Sequence, residues 1–322
     1  MNIDVHAHLY PKPFLDYLDK HDIDFGLPGL PFAVFPKLYE VNERFEDMER
    51  ARLDHQVLSL GCPGVDAGSA SESVDLAKAF NDSIAEIVRM WPDRFSAFAA
   101  VPMQDPDSAV MELTRAVEEL GFPGGHTFTN VKGEFLDSER FWPVYEAAED
   151  LGVPLFVHPT TPVCLAGAMD WGLMISVAFL QDTTMTASRL VLGGVLERFA
   201  EIDFILCHLG AALPYILPRV DIETELNSHF IEGYAPSIDR PPSDYYLRFH
   251  IDTVSHHAAA YRCAIETWGI DRIVLGSDYP YSRWERTIDV IEELGLTDEE
   301  EAKICRENAA RLLGIEVESR RG

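Results

Sequence analysis

The chain has 322 residues, of which 47% are hydrophobic, and its 54 acidic residues against 26 Lys and Arg give a formal net charge of −28. Such a polyanion repels nucleic acid and anionic membranes, so we expect neither as a partner. No segment approaches the roughly 18 uninterrupted apolar residues of a transmembrane helix, and the N-terminus lacks the pattern of a signal peptide. Five scattered cysteines without a Cys-x-x-Cys favour reduced thiols and a cytoplasmic location.

The first element is a short strand that ends in two histidines. Residues 2–6 alternate polar and apolar, as in a half-buried strand, and this alternation places His6 and His8 on one face. Two imidazoles at the end of one strand can bind a single metal ion. Because His-x-His alone is weak evidence, the remaining ligands must come from elsewhere in the chain.

Residues 12–42 are rich in proline and aromatic side chains and follow a predicted turn at 9–13. The segment is too long for a plain connection and too apolar for a disordered linker. We expect an insertion after the first strand, folded over one end of the main domain either as a lid or as a surface subdomain.

Beyond this insertion, apolar strands alternate with helical patterns. With the first strand, the sequence predicts eight strands, near residues 3, 57, 98, 126, 156, 205, 251 and 274. Predicted helices between and after them include 43–54, 71–90, 107–120, 138–151, 258–268 and 298–313. Eight such units predict an α/β fold, a closed (β/α)8 TIM barrel formed by residues 1–322 as one domain. A doubly wound open sheet would usually carry a glycine-rich phosphate loop where this chain has His-Ala-His.

Histidine or aspartate residues stand at the carboxyl ends of five predicted strands: His6 and His8, His158, His208, Asp252 and Asp278. In a (β/α)8 barrel these ends meet at the face that carries the active site. Three imidazoles and one carboxylate suit Zn²⁺, with Mn²⁺ as an alternative, and an open position could activate a water or polarise a substrate oxygen. The predicted fourth strand has no lysine to bridge two ions, so we expect one metal ion per chain.

These strand ends resemble those of the amidohydrolase superfamily, and more closely its decarboxylase branch, typified by aminocarboxymuconate-semialdehyde decarboxylase. The motifs are His6-x-His8, Phe-Val-His-Pro at 156–159, Gly-Ser-Asp-Tyr-Pro at 276–280 and Asn-Ala-Ala-Arg-Leu-Leu-Gly at 308–314. The resemblance runs over nearly the whole chain and implies a barrel of the metal-dependent hydrolase type. His6 and Ala211 stand where resorcylate-type relatives carry glutamate, which argues against that subgroup.

The resemblance also implies roles for single residues. The residues that match the metal ligands are His6, His8, His158 and Asp278, and His208 matches the acid/base histidine. Arg219 matches an arginine that reaches the substrate of a neighbouring subunit, which implies a homodimer or a larger homo-oligomer. Arg44 stands where the family has a further substrate-facing arginine, with a helix-surface charge as the alternative, and Asp252 is a candidate pocket residue.

Together these features predict a cytoplasmic, metal-dependent, non-oxidative decarboxylase of a small aromatic or unsaturated carboxylic acid. His208 and Asp278 would be catalytic, and Arg219, Arg44 and Asp252 would bind the substrate. Two alternatives stay open from the sequence. One is a hydrolase that opens a lactone or amide with the same residues, and the other is a metal-binding barrel without catalysis.

Overall fold

The computed structural model describes residues 1–22 and 36–316 of the chain. The strands in these residues are Ile3–His8 (β1), His55–Ser59 (β2), Phe95–Ala97 (β3), Ala99–Ala100 (β4), Gly125–Phe128 (β5), Asn130–Val131 (β6), Glu134–Phe135 (β7), Leu155–His158 (β8), Phe204–Leu206 (β9), His250–Asp252 (β10) and Ile273–Val274 (β11). A strand lies at or beside each of the eight predicted positions. β3 and β4 are two parts of one barrel strand, and β6 and β7 form a short antiparallel hairpin.

The α-helices in the described residues are Lys12–Lys20 (α1), Val41–Arg50 (α2), Ala70–Met90 (α3), Pro106–Glu118 (α4), Trp142–Leu151 (α5), Phe179–Leu192 (α6), Val195–Arg198 (α7), Leu213–Phe230 (α8), Pro242–Tyr246 (α9), Ala258–Trp268 (α10), Thr287–Glu292 (α11), Asp298–Ala302 (α12) and Asn308–Leu313 (α13). Most agree with a predicted helix within a few residues. The sequence did not predict α8, because this helix contains Pro218 and its apolar residues do not lie on a single face. Within residues 1–22 and 36–316, no helix is long and apolar enough to cross a bilayer.

Parallel strand pairs build the barrel in two runs, β1–β2–β3 and β4–β5–β8–β9–β10–β11. Phe98, between β3 and β4, joins the two runs. Its N–H donates to Leu58 O at 2.9 Å, on the side of β2, whereas the next N–H, of Ala99, donates to Gly124 O at 2.9 Å, on the side of β5. The third barrel strand therefore changes partner at Phe98 without leaving the sheet.

The barrel closes between the first strand and the last. The N–H of Val5 donates to Leu275 O at 2.8 Å, and that of His8 donates to Tyr279 O at 2.8 Å. Between these bonds, the N–H of Asp278 donates to His6 O at 2.8 Å. These bonds give β1 a neighbour on each side, and the predicted (β/α)8 barrel is confirmed.

A bulge in β1 directs its side chains. Relative to β2, the strand has one extra residue between Asp4 and Ala7. As a result, Val5 packs in the apolar cluster that includes Phe156, and the next side chain, His6, also meets Phe156, with ring centroids 5.0 Å apart. The plain alternation predicted for residues 2–6 is therefore wrong at the bulge. The prediction that the two histidines of this strand share a face is confirmed.

Apolar side chains fill the barrel next to the two histidines. They come from most of the barrel strands and from α13: Ile3, Val5, Val57, Phe98, Phe156, Ile205, Cys207, Val274, Ala309 and Leu313. A larger cluster lies between the strands and the surrounding helices. Burial of apolar area is the main stabilising contribution to such a core. Because this filling excludes water, polar groups inside the barrel need partners from the protein or from a bound ion.

The segment 12–42 is described at its two ends. α1 begins at Lys12, so the predicted turn at 9–13 is shorter than expected, and Pro13 lies in the first helical turn, where proline is tolerated. Phe14 is buried, and its ring lies 5.9 Å from that of Phe80 on α3. Residues 23–35, on which the lid prediction depends, lie outside the described residues.

A buried carboxylate connects β1 to both of its neighbours. Asp4 accepts hydrogen bonds from Gln56 Nε2 on β2 at 2.8 Å, and from the N–H and Oγ of Ser277, after β11, at 2.9 and 2.6 Å. The N–H of His6 donates a fourth bond at 3.1 Å. Asp4 is fully buried, so water cannot replace it as the acceptor of these hydrogen bonds.

We expect Asp4→Ala to lower the free energy of unfolding by about 3–5 kcal/mol, since each buried donor left without an acceptor costs about 1–3 kcal/mol. Urea unfolding followed by circular dichroism measures this change. Asp16→Ala is the control, because Asp16 is exposed on α1 and its contact with Lys12 is 3.8 Å long, so its loss should change stability little. An Asp4→Ala variant as stable as the control would contradict the role of Asp4 in closure.

Candidate active site

Polar side chains converge at the carboxyl ends of the barrel strands. His6 and His8 end β1, His158 ends β8, His208 follows β9, Asp252 ends β10 and Asp278 follows β11. Parallel strands bring these positions to one face of the barrel. The structure thus assembles six of the predicted site residues, whereas Arg219 lies apart from them and Arg44 meets them through the backbone oxygen of His8.

Four of these residues could hold one ion: one ligand atom from each of His6, His158, His208 and Asp278 lies within 4.8 Å of the others. His8 is next to this group, with its Nε2 3.0 Å from His6 Nε2 and 3.3 Å from Asp278 Oδ1. Asp278 Oδ1 also lies 3.4 Å from His6 Nε2, and Oδ2 lies 3.9 Å from His208 Nε2. The Asp278 carboxylate therefore lies beside three histidines of the cluster.

The three predicted histidine ligands are each held through Nδ1. The partner atoms are Asp252 Oδ2 for His6 at 2.6 Å, Ser59 Oγ for His8 at 3.3 Å and Pro159 O for His158 at 2.7 Å. A carboxylate and a backbone carbonyl only accept, so His6 and His158 carry their hydrogen on Nδ1. In the neutral form of each ring, Nε2 is then free of hydrogen, which is the arrangement that metal-binding histidines use.

The converging nitrogen atoms fit a cation. Nε2 of His6 and of His8 face each other at 3.0 Å beside the Asp278 carboxylate. Nε2 of His158 is buried and has no hydrogen bond within the described residues. Acceptors that meet in this way repel each other and lack donors, which is costly away from water. Imidazole nitrogens and one carboxylate are the ligands that a divalent transition-metal ion prefers, so the residues fit such an ion.

Burial sets the protonation states of these ligands. It lowers the pKa of His8 to about 4 and that of His158 well below its usual value, so both rings are neutral at pH 7. Burial alone would raise the pKa of Asp278, but hydrogen bonds with His208 and His8 hold it well below its usual range. His8 and His158 therefore offer neutral imidazoles beside an ionised carboxylate.

His208 is more accessible than the other histidines of the cluster. Its side chain is 16% exposed and that of Asp278 is 15% exposed, whereas those of His6 and His8 are fully enclosed. Burial disfavours a charge on His208, but Cys207, 3.2 Å from its Nδ1, and the Asp278 carboxylate raise its pKa well above the usual value. Of these histidines, His208 is thus the best placed to exchange a proton with a bound molecule.

The turn that presents His208 has a left-handed backbone. The residues with positive φ are His208 at 55°, Leu209 at 56°, Gly210 at 69° and Ala211 at 56°. An L-residue other than glycine loses about 1–2 kcal/mol in this region. Asp278 has a φ of 57° as well. Backbone strain of this kind is concentrated at functional sites in proteins.

Asp252 lies behind the ligands. It is fully buried, one carboxylate oxygen contacts His6, and the other accepts the N–H of Leu209 at 3.1 Å and of Val254 at 2.9 Å. Both oxygens are therefore occupied by protein donors. This geometry gives no support to the prediction that Asp252 binds the substrate, and it indicates a positioning role instead.

Arg44 is buried under the end of β1. Its Nη1 donates to Gln56 Oε1 at 3.0 Å, its Nη2 donates to His8 O at 2.5 Å, and the guanidinium lies 4.4 Å from the ring centre of Tyr279. The alternative of a helix-surface charge is wrong, because the side chain is fully buried. The predicted contact with substrate is not supported either, since these interactions serve the backbone of β1.

Arg219 stands on the outer side of α8. Its side chain is 75% exposed, and its partner is Glu223, one helical turn away at 3.2 Å. The fold does not bring Arg219 to the site of its own chain. A role at a substrate would therefore require a second copy of the protein, as the sequence resemblance implies.

Two tyrosines that lie close to the site were not identified from the sequence. The ring of Tyr281 lies 5.7 Å from that of His8, and its hydroxyl lies 3.2 Å from the hydroxyl of Tyr10. Tyr281 directly follows the Asp-Tyr-Pro motif, and that position could have identified it. Ser59, the partner of His8, ends β2, and a survey of every strand end would have found it.

Comparisons with known proteins agree with this geometry. The sequence profile of the amidohydrolase family matches residues 3–315. The 2-amino-3-carboxymuconate-6-semialdehyde decarboxylase of Dictyostelium discoideum is 26% identical over 337 aligned residues, which cover 98% of this chain and 92% of that protein. A gamma-resorcylate decarboxylase of Polaromonas sp. is 31% identical over 287 residues, which cover 85% of this chain and 87% of that protein.

Solved structures share the whole barrel. The 5-carboxyvanillate decarboxylase of Sphingomonas paucimobilis has a TM-score of 0.91 at 28% identity, covering 98% of this chain and 99% of that one. A dihydroxybenzoic acid decarboxylase of Polaromonas sp. with bound manganese has a TM-score of 0.85 at 27% identity, covering 98% and 97%. Because these matches span every strand end that builds the site, the chain belongs to the amidohydrolase family, in the branch whose members are decarboxylases.

Proposed function

We propose that this protein is a metal-dependent, non-oxidative decarboxylase of a small aromatic or unsaturated carboxylic acid. The observation that carries the proposal is the convergence of Nε2 atoms from His6, His8 and His158 around Asp278, with the accessible His208 beside them. The relatives add support, because they are decarboxylases of carboxymuconate, resorcylate and dihydroxybenzoate substrates.

Non-oxidative decarboxylation breaks one carbon–carbon bond and needs no electron acceptor. CO2 leaves, the bonding electron pair stays on the substrate carbon, and a proton takes the place of CO2. The site must therefore hold an anionic substrate, stabilise the charge that develops and deliver a proton. A divalent ion held by His6, His8, His158 and Asp278 would supply the positive charge that polarises a substrate oxygen.

His208 is the proposed proton donor. Its partial exposure lets it both contact the substrate and regain a proton from solvent. Asp278 Oδ2 lies 3.9 Å from His208 Nε2, so its negative charge favours the protonated form of the ring. The left-handed turn at 208–211 fixes the direction of the ring, which favours transfer to one carbon of the bound acid.

Zn²⁺ is the proposed ion, one per chain, with Mn²⁺ as the alternative. Three neutral imidazoles and one carboxylate form a donor set that zinc prefers. Manganese is supported by the Polaromonas decarboxylase, which was solved with that ion.

The proposed assembly is a homodimer or a larger homo-oligomer in which copies meet through α8. One face of this helix carries residues at helical spacing that are exposed: Tyr215, Arg219, Ile222, Leu226 and Phe230. The opposite face is buried on the barrel through Leu213 and Leu217. A helix that is apolar on both sides is usually covered on both sides. Beside it, an apolar groove of about 820 Å³ between α6 and α8 extends the same surface.

Arg219 lies in the middle of this exposed face, so the proposed contact would carry it toward a second copy. In that copy it would offset the charge of the substrate carboxylate.

We also propose that residues 1–322 form one domain, with 12–42 as an insertion that is either a lid or a surface subdomain. A cytoplasmic location is proposed because the five cysteines are free thiols.

Incubation with a panel of hydroxybenzoates and muconate-type acids should release CO2 from at least one of them. His208→Ala should lower kcat by about 10²–10⁴-fold, the usual contribution of a positioned general acid, while the metal content stays unchanged. Isotope-labelled CO2 and elemental analysis measure the two quantities. Met111→Ala, a change at an exposed side chain on α4, is the control. Lactone opening without any CO2 release would favour a hydrolase instead.

Removal of the metal by a chelator should abolish CO2 release, and addition of Zn²⁺ or Mn²⁺ should restore it. Elemental analysis should find about one ion per chain in the active protein, as expected from a single cluster. His158→Ala should lower that content, because it deletes a nitrogen that has no other partner among the described residues. Full activity in protein that holds less than about a tenth of an ion per chain would contradict the metal-dependent mechanism.

Light scattering on a sizing column should give a dimer or a larger assembly. Tyr215→Asp should break it, because the change places a charge on the apolar face, where the side chain is 84% exposed in one chain. Met111→Asp is the matched control, since Met111 is 73% exposed but lies on α4.

Mixing Arg219→Ala with His208→Ala subunits should restore activity, since a mixed dimer contains one site with both side chains. Each variant alone serves as the control for the mixture. A monomeric wild type with full activity would contradict both the assembly and the role of Arg219 in a second copy.

A further inference from the structure

Asp252 contacts two parts of the site that come from different strands. Its Oδ2 lies 2.6 Å from Nδ1 of His6, at the end of β1. Its Oδ1 accepts the N–H of Leu209, in the turn after β9, at 3.1 Å. Asp252 itself ends β10 and is fully buried. A single carboxylate thus bridges the strand of a candidate metal ligand and the turn that presents His208.

The contact with His6 crosses the last barrel strand, and Gly276 makes room for it. β10 pairs with β11, and the residues after β11 pair with β1, so Asp252 and His6 are not on neighbouring strands. A Cβ atom at Gly276 would lie 2.9 Å from Asp252 Cβ and 3.1 Å from His6 Cβ. Any larger residue at this position would separate the two side chains.

The His6 contact decides which ring nitrogen carries the hydrogen. An ionised carboxylate only accepts, so the hydrogen of His6 must lie on Nδ1. Nε2 is then a lone pair, and it points to the centre of the cluster, 3.0 Å from His8 Nε2 and 3.4 Å from Asp278 Oδ1. The opposite tautomer would place a hydrogen where the ion should bind.

The second oxygen supports the turn at 208–211. His208 and Leu209 both have left-handed φ values, and the N–H of Leu209 donates to Asp252. The same oxygen accepts the N–H of Val254 at 2.9 Å, which fixes the carboxylate in place. Rotation of Asp252 would therefore disturb the metal ligand and the His208 turn together.

We propose that Asp252 is a positioning residue that couples the two halves of the site. Through one oxygen it fixes the metal-binding tautomer of His6, and through the other it holds the turn that carries His208. The first half concerns metal binding alone. The second half rests on the proposed function, since it assigns His208 to proton transfer in decarboxylation.

Asp252→Asn tests the proposal, because an amide of the same shape has a single acceptor oxygen. That oxygen should stay on the two backbone N–H groups, which cannot change their hydrogens, whereas the imidazole can change tautomer. The amide NH2 should then donate to His6 Nδ1 and move the ring hydrogen to Nε2. We expect Zn²⁺ affinity to fall about 10–100-fold, the usual effect of losing such a partner.

Two measurements are made on the protein. Nitrogen-15 NMR of labelled histidine reports the tautomer of His6 in metal-free protein, with His6→Gln used to assign its signals, and competition with a chromophoric chelator gives the Zn²⁺ affinity. Circular dichroism checks that the variant is folded. If it is not, metal-free wild type still tests the proposal, because a hydrogen on His6 Nε2 there would overturn it.

Asp203→Asn is the matched control. Asp203 Oδ1 lies 3.5 Å from His250 Nε2. His250 begins β10, the strand that ends at Asp252, and it is not a candidate ligand. The control therefore removes a carboxylate from a histidine outside the cluster. It should leave the His6 tautomer and the Zn²⁺ affinity unchanged. An Asp252→Asn variant that keeps the hydrogen on Nδ1 and binds Zn²⁺ within twofold of wild type would overturn the proposal.

Failure of the proposed function gives a different result. If wild type binds Zn²⁺ and releases no CO2 from any acid tested, the decarboxylase proposal is lost. The His6 tautomer and the Zn²⁺ affinity of Asp252→Asn still test whether Asp252 fixes the metal-binding form of His6. If CO2 is released and Asp252→Asn behaves as wild type in both measurements, only the coupling by Asp252 is lost.

Discussion

The site depends on the hydrogen bonds that hold β1 between β2 and the residues after β11. These bonds bring His6 and His8, near the start of the chain, next to Asp278, near its end. The bulge then turns both Val5 and His6 inward, so the apolar core and the polar cluster begin at adjacent residues. Assembly of the ligands and closure of the barrel are therefore one event, and an ion bound by the ligands would stabilise the closed barrel by mass action.

The position of each barrel strand and the set of residues at the strand ends could be predicted from the sequence. Alternating apolar runs and helices indicate a parallel barrel, and a parallel barrel gathers His158 and Asp278 at one face whatever their distance in the chain. The bulge could not be predicted, because Val5 and His6 read as an ordinary alternating pair until β2 is placed beside them. The role of Asp252 was also out of reach, since it follows from the bare backbone at Gly276.

Arg44 shows a second limit of the sequence. Helical periodicity places it on α2 but cannot say whether the guanidinium meets a substrate, solvent or a backbone carbonyl, and here it meets His8 O. This contact has an electrostatic consequence in a chain with a net charge of −28. Because Arg44 is committed to β1, an anionic substrate would depend for its attraction on the bound ion, on His208 and on the proposed arginine of a second copy.

The left-handed turn at 208–211 also constrains how this protein can change. Glycine would relax the backbone at Leu209 or Ala211 and remove an energetic penalty of about 1 kcal/mol or more per residue. The relaxed turn would have more conformations available and would hold His208 less firmly. Selection for stability alone would therefore favour glycine at this turn and lower the activity. In a library selected only for thermal resistance, the variants with glycine at this turn should be among the least active.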